Sequence, residues 1–269
     1  MEATSAWLDL AERACALGGL ASKGLTVEAV DHGRSGAQVL RLDGAAPAIL
    51  KAVPATKQTA VASLTREAEV IAWLSERACV PKAYWSGELD GWQVLLTERL
   101  PGLPASHIPS AEAPGALARV VRALAALHAT PRGECPFDQR LPVKLAGARE
   151  KVETGVITPD DFAGRNRGQD PWLMLRRLEA RTPRREDLVL THGDASLPNF
   201  IVPSDGKVGL VDLALFGVAD RWHDLALFLR SAARNFPEVD AVAILKTNYP
   251  LAHIDERRRE FYRLLDEFA

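Results

Sequence analysis

The stretch His192-Gly193-Asp194-Ala195-Ser196-Leu197-Pro198-Asn199, followed by Gly209-Leu210-Val211-Asp212, decides how this chain is read. It places an Asp, an Asn five residues later and a second Asp beyond a short apolar run. Asn199 and Asp212 carry hard oxygen ligands of the type Mg2+ prefers. Asp194 can accept a hydrogen bond from a substrate hydroxyl. Phosphoryl transfer asks for little more: neutralised charge on the phosphates and one residue aimed at the attacking oxygen.

The surroundings agree with that reading. Leu188-Val189-Leu190 reads as a short strand entering the His192 loop. Phe200–Val202 and Val208–Val211 read as two more, split by Pro203-Ser204-Asp205-Gly206, a strong turn signal. Asp194 and Asn199 then flank a loop, and Asp212 ends the next strand. A hairpin returning Asp212 towards Asn199 would bring both oxygen ligands to one metal. An isolated His-Gly-Asp or apolar-apolar-Asp is otherwise a common structural feature, so context carries the argument.

Composition bounds the class. The chain has 269 residues, 47% hydrophobic and 25% charged, with a net charge of −2. That suits an ordinary globular protein of one large domain or two lobes. There is no basic tract, so neither nucleic acid nor a membrane surface is expected as a partner. Cys15, Cys79 and Cys135 are widely spaced and form no CxxC, which argues against a disulfide framework and a thiolate zinc site. Reduced thiols, no charged-then-apolar leader and no membrane-length apolar run lead to the expectation of a cytoplasmic protein.

Along the chain, residues 3–18 read as a helix. Thr26–Val30, Ala37–Leu42 and Ala48–Val53 read as an antiparallel meander. Residues 65–78 read as a helix capped by Thr65, with Val70, Ile71 and Leu74 on one face. Trp92–Leu96 is a further strand, and Leu100-Pro101-Gly102-Leu103-Pro104 reads as a lobe boundary. Beyond it, Leu117, Val120, Val121, Leu124 and Leu127 mark a helix with Ser110 as candidate cap. Residues 131–171 are rich in turns and charge. Helices are expected at 173–180, 225–233 and from about Glu256 to the end. The expected organisation is an α+β, two-lobed fold: a small β-rich nucleotide-binding lobe at 1–99 and a larger, mainly helical catalytic and substrate-binding lobe at 100–269. A nucleotide would lie in the cleft between them.

Two features of the small lobe bear on phosphate. Gly33-Arg34-Ser35-Gly36 is either a hairpin turn or a loop whose N–H groups approach phosphate oxygens. It is no Walker A loop, because no GxxxxGK[ST] occurs in the chain. Lys51 ends an apolar strand, and Glu67 on the following helix could pair with it. A strand Lys paired to a helix Glu, reaching the α and β phosphates, is the protein-kinase arrangement. Glycine turn, Lys, helix Glu, HGDxxxxN and apolar-Asp follow in that order. His192 reads as a loop brace. His128, His223 and Trp222 read as structural, and Asp220 and Asp224 as braces from the following helix. Ser196 lacks a partner His in a GxSxG context, which disfavours serine hydrolysis.

These residues resemble the aminoglycoside phosphotransferases, above all the 3′-phosphotransferase group. The likeness runs through Arg66-Glu67 with Trp73-Leu74, Cys135-Pro136-Phe137-Asp138 with Arg140-Leu141, and the HGDASLPN loop. It continues through Gly217-Val218-Ala219-Asp220-Arg221 with Asp224, and Phe261-Tyr262-Arg263-Leu264-Leu265-Asp266-Glu267-Phe268. The resemblance implies a protein-kinase-like fold, ATP or GTP as donor, Mg2+, and an aminoglycoside hydroxyl as acceptor, at the 3′ position. By matching position it implies Asp194 as catalytic carboxylate and Asn199 and Asp212 as metal ligands. Lys51 and Glu67 become the phosphate-positioning pair, Ser35 part of the loop over the phosphates, and Glu98 to Leu100 the hinge beside the base. It assigns ammonium binding to Asp160, Asp161, Asp266, Glu267 and the terminal carboxylate of Ala269, in a monomer or homodimer.

The chain departs from that pattern in three places. Ala214-Leu215 stands where Gly-Arg is usual, Arg234-Asn235 where acids are usual, and Phe268-Ala269 where two aromatics are common. The same transfer to a different small hydroxyl compound is therefore the alternative reading. A catalytically silent nucleotide-binding protein is the third.

Overall fold

The computed structural model describes residues 2–30, 37–57 and 63–268. Ser35 and Ala269, both assigned above by resemblance, lie outside them. The chain divides into two compact units, one of residues 1–102 with 203–215, the other of residues 103–202 with 216–269.

The first unit holds α1 (Glu2–Leu17), β1 (Thr26–Val30), β2 (Gln38–Asp43), β3 (Ala48–Pro54), α2 (Leu64–Leu74), β4 (Ala83–Leu89) and β5 (Trp92–Glu98). The strands form one antiparallel sheet in the order β1-β2-β3-β5-β4. Side chains alternate faces along a strand. On β3, Ala48, Leu50 and Ala52 join Leu10, Ala11, Ala14 and Cys15 of α1 in one apolar cluster. Lys51, one residue out of phase, turns to the opposite face. Its register partners are Val39 on β2 and Leu95 on β5.

Several sequence expectations shift here. The cap of α2 is Ser63, whose side chain accepts from Arg66 N at 3.2 Å, and Thr65 lies inside the helix. Strand β4 is absent from the sequence reading. It is joined to β5 through Asp90-Gly91, both at positive φ, 52° and 77°, as a tight hairpin turn requires.

Residues 203–215, read by sequence as part of the larger lobe, cluster with the first unit and carry β9 (Gly209–Leu210). Hydrogen bonds explain the shift. Leu210 N donates to Cys79 O at 2.8 Å, and Leu213 N to Glu67 Oε1 at 3.4 Å. The observed break also falls after Gly102 rather than Arg99.

The second unit is mainly helical. It contains β6 (Leu103–Pro104), α3 (Ala113–Ala129), α4 (Leu141–Glu153), α5 (Pro171–Glu179), β7 (Leu188–Thr191), β8 (Phe200–Val202) and β10 (Gly217–Asp220). It ends with α6 (Arg221–Asn235), α7 (Ala241–Asn248) and α8 (Glu256–Leu265). Helix α3 begins after Glu112 with no side-chain cap, so Ser110 does not cap it. Helix α4 was hidden in the turn-rich segment because only Leu141, Ala148 and Val152 are buried along it, too thin a stripe to announce a helix. Helix α6 is buried from Trp222 to Leu229.

Strand β10 pairs antiparallel with β7, Gly217 opposite Thr191. A Cβ at Gly217 would meet Phe137 O at 2.6 Å and Gln139 Cγ at 2.7 Å. The nearer of these is backbone and cannot rotate away. Gly217→Ala is expected to destabilise the chain by about 2 kcal/mol, as an overpacked core position does. Urea unfolding measures this, and an unchanged midpoint would refute the close approach.

Candidate active site

The first unit assembles a charged triplet. Glu67 lies in the apolar stripe of α2 with Leu64, Val70, Ile71 and Leu74 and is only 3% exposed. A buried carboxylate needs a partner. Lys51 supplies it, with Nζ donating to Glu67 Oε1 at 2.8 Å and Oε2 at 2.9 Å. The same Nζ donates to Asp212 Oδ1 at 3.1 Å. Burial works against the ammonium charge, yet Asp212 and Glu67 outweigh it and hold the Lys51 pKa above its usual value. Asp212 sits at φ 61°, a left-handed conformation uncommon for residues with a side chain and frequent at functional sites. Its carboxylate is about half exposed.

Glu98 ends β5. Its Oε2 accepts from Lys82 N at 3.2 Å, and its own N–H donates to Lys82 O at 2.8 Å, so it ties that strand to the start of β4. Leu100 follows in irregular chain and is half-buried.

The second unit builds the loop of residues 192–199 on one carboxylate. Asp224, wholly buried on α6, accepts from His192 N at 2.7 Å, from Gly193 N at 3.0 Å and from His128 Nε2 at 2.9 Å. The other nitrogen of His128 meets Tyr249 Oη at 2.6 Å. Burial disfavours the Asp224 charge, but the His128 bond and the neighbouring imidazoles win, and its pKa is drawn down to about 2. Gly193 takes φ 87°, which a glycine adopts without strain.

The loop then presents Asp194, partly exposed. Ser196 Oγ donates to Asp194 Oδ1 at 2.6 Å, and Asn199 Nδ2 donates to Asp194 Oδ2 at 2.9 Å and to its main-chain O at 3.0 Å. Asn199 thus spends its amide nitrogen on Asp194. Leu197 N donates to Ser231 Oγ at 2.9 Å, pinning the loop to α6 a second time. Asp220 caps α6 through Trp222 N at 2.9 Å and accepts from Asp187 N at 3.0 Å and Arg258 Nη1 at 2.7 Å. The two aspartates thus brace the loop and its flanking strand.

The acids that the resemblance assigns to ammonium binding fare differently. Asp160 is exposed. Asp161 Oδ2 accepts from Thr158 N and Oγ1, both at 2.8 Å, closing a capping box. Glu267 accepts from Asn166 Nδ2 at 2.8 Å and from Ala163 N at 3.2 Å. Asp266 is ion-paired with Arg230. Burial pushes the Asp266 carboxyl up, against the pull of Arg230. Arg234 is exposed, and Asn235 turns back to Ser231 O at 2.8 Å.

Among the described residues, no cluster of three or more His, Cys, Asp or Glu has metal-binding geometry, and no helix is long and apolar enough to cross a membrane. All three cysteines are thiols. The donor chemistry suits Mg2+, which takes one or two protein oxygens and keeps several waters.

The phosphotransferase enzyme family model matches residues 26–266. The aminoglycoside 3′-phosphotransferase of Streptomyces ribosidificus is 34% identical over 248 residues, 89% of this chain and 94% of that protein. The solved aminoglycoside-3′-phosphotransferase of type VIII superposes with a TM-score of 0.83 at 32% identity, covering 91% of this chain and 94% of that one. Aminoglycoside phosphotransferase APH(3″)-Id of Streptomyces rimosus, in complex with ADP and streptomycin, gives 0.79 at 27% identity over 98% and 97%. A lysine–glutamate pair in one unit and a buried-aspartate-braced HGDxxxxN loop in the other define a small-molecule kinase. The chain belongs to the phosphotransferase enzyme family.

His223 yields a test of the packing around the loop. It is buried, and Nδ1 has no hydrogen-bond partner among the described residues. Burial first, then the charge of Lys144, pushes its pKa down to about 3. Between about pH 6.5 and that value the unfolded chain binds a proton that the folded chain refuses, so stability falls as pH falls. The contribution approaches about 1.4 kcal/mol per pH unit for one proton. His223→Gln is expected to flatten the stability profile between about pH 5 and 6.5. Urea unfolding at several pH values measures it, and an identical slope in the variant would contradict the assignment.

Proposed function

We propose that this phosphotransferase moves the γ-phosphate of a magnesium-bound ATP or GTP to the 3′ hydroxyl of an aminoglycoside. The observation that carries the transfer is Lys51 held by Glu67 and Asp212 at 2.8 to 3.1 Å, a fixed ammonium of the kind that positions nucleotide phosphates. The acceptor class is supported by the likeness to the Streptomyces ribosidificus enzyme over nearly the whole of both chains.

In this reading Asn199 and Asp212 hold Mg2+, which neutralises charge on the phosphates. Lys51 orients the phosphates, and Glu67 keeps the lysine in place. Glu98 and Leu100 border the base, and Ser35 belongs to the loop over the phosphates. Asp194 accepts the hydrogen bond of the acceptor hydroxyl and aligns its oxygen for in-line attack. Ser196 and Asn199 fix that carboxylate, so little reorganisation is needed when transfer occurs. Asp160, Asp161, Asp266, Glu267 and the carboxylate of Ala269 make the acceptor end acidic, as a polyammonium compound requires. Nucleotide contacts fall mainly to the unit of residues 1–102 with 203–215, and catalysis and the acceptor to the other unit, in a cytoplasmic monomer or homodimer.

Asp194→Ala is expected to lower kcat by about a hundredfold or more with kanamycin as acceptor, the loss expected for a positioned general base. A coupled assay with ATP and GTP in parallel, across kanamycin, neomycin, streptomycin and simple alcohols, measures it. Wild-type turnover with none of the aminoglycosides, or a variant at near wild-type rate, would overturn the proposal. Lys51→Met is expected to raise the nucleotide KM or lower kcat by about tenfold or more, since the phosphates lose their fixed cation. Unaltered nucleotide kinetics would remove Lys51 from the site.

A further inference from the structure

A turn of residues 266–268 follows α8 and is held from three sides within the second unit. Arg230 of α6 pairs with Asp266, and Lys151 of α4 donates to Phe268 O at 3.0 Å. The third side is the loop of residues 158–168, between α4 and α5. Its Phe162 ring meets Phe268 edge-on, centroids 5.4 Å apart, and both rings are buried. That loop is closed on itself: Gly168 N donates to Pro159 O at 2.9 Å, and Thr158 and Asp161 form their capping box. Asn166 ends a short 3₁₀ turn inside it and is buried.

From that position Asn166 Nδ2 donates to Glu267 Oε1 at 2.8 Å, while Ala163 N donates to Oε2 at 3.2 Å. Each carboxylate oxygen therefore has a donor, and both donors are neutral. They fix the direction of the carboxylate and leave its charge in place. Asp266, one residue earlier, meets a guanidinium that offsets its charge. Helix α6 joins the turn to the loop of Asp194. Ser231 Oγ accepts from Leu197 N at 2.9 Å, and Arg230, the preceding residue, holds Asp266. Consecutive helix residues rise by only about 1.5 Å, so the turn and the loop hang from neighbouring points of one helix.

We infer that Asn166 is a positioning residue for the acceptor: it aims the Glu267 carboxylate at an ammonium group of the compound whose hydroxyl meets Asp194. The inference rests on the aminoglycoside reading above and names the residue that fixes one of its acids. The neutrality of the donor is the point. A lysine or arginine in its place would hold the carboxylate and cancel the charge that an ammonium group needs for a charge-assisted hydrogen bond.

The test is a double-mutant cycle on Asn166→Ala and Glu267→Gln, read as the KM for kanamycin, the KM for nucleotide and kcat. A KM does not depend on the fraction of enzyme that is folded. Glu267→Gln is expected to raise the kanamycin KM by about tenfold, with kcat and the nucleotide KM changed by less than about threefold. Asn166→Ala alone should raise the kanamycin KM by about fivefold with the same split. Placed in the Glu267→Gln background, it should add less than about twofold, because its effect passes through the carboxylate. A kanamycin KM unmoved by Asn166→Ala, or raised by the same factor in both backgrounds, would refute the role of Asn166 while Glu267→Gln still bears out the acceptor acid. A kanamycin KM unmoved by Glu267→Gln would remove Glu267 from the acceptor site and this inference with it. No turnover of kanamycin by wild type, with Mg-nucleotide still bound by calorimetry, would overturn the acceptor class itself.

Discussion

The buried carboxylate of Asp224 is the constraint on which the catalytic half of this protein depends. It takes two consecutive loop amides, His192 N and Gly193 N, and an imidazole N–H from His128. Those bonds set the direction in which the chain leaves β7, and therefore where Asp194 emerges one residue later. A buried charge of this kind persists only when its oxygens are fully used. The Tyr249 hydroxyl closes the arrangement by orienting His128. Helix α3 and the residue that follows helix α7 thereby contribute to the position of a loop that neither of them carries.

The first unit reaches rigidity by a different route. There an alternating strand turns Lys51 away from the apolar cluster of Leu50 and Ala52, towards the carboxylate of Glu67. The amide of Leu213 and the side chain of Asp212 then attach residues 203–215 to the same pair. The positive φ of Asp212 is sustained by these contacts. Both halves fix charge before any ligand arrives, which suits a reaction whose catalysis is mostly positioning and electrostatics.

Spacing marked Asp194, Asn199 and Asp212, and order along the chain marked Lys51 with Glu67; the structure joins Lys51 to Glu67 and Asp212, and Asn199 to Asp194, and leaves their chemical roles to the proposal. The bracing roles of Asp220 and Asp224 and the buried position of Trp222 were also readable. What stayed hidden was long-range pairing. His128 reaches Asp224 and Tyr249 across about a hundred residues of sequence, a separation that leaves no local signal. Helix α4 was obscured by its thin apolar stripe. Strand β4 was passed over although Asp90-Gly91 carried a hairpin signal. The capture of Asp266 by Arg230 and of Glu267 by Asn166 could not be foreseen, because a carboxylate's partner is a property of packing.

The measurement that tests the account most directly is made on Asp224→Asn, which keeps the shape and removes the charge. Mg-nucleotide affinity by calorimetry and kcat by coupled assay should part company. The account predicts a kcat lower by about a hundredfold or more and a much smaller loss of nucleotide affinity, because Asp224 positions the whole loop, Asn199 included, while Lys51 and Asp212 keep their hold on the phosphates. A folded Asp224→Asn enzyme that turns over at the wild-type rate would contradict it.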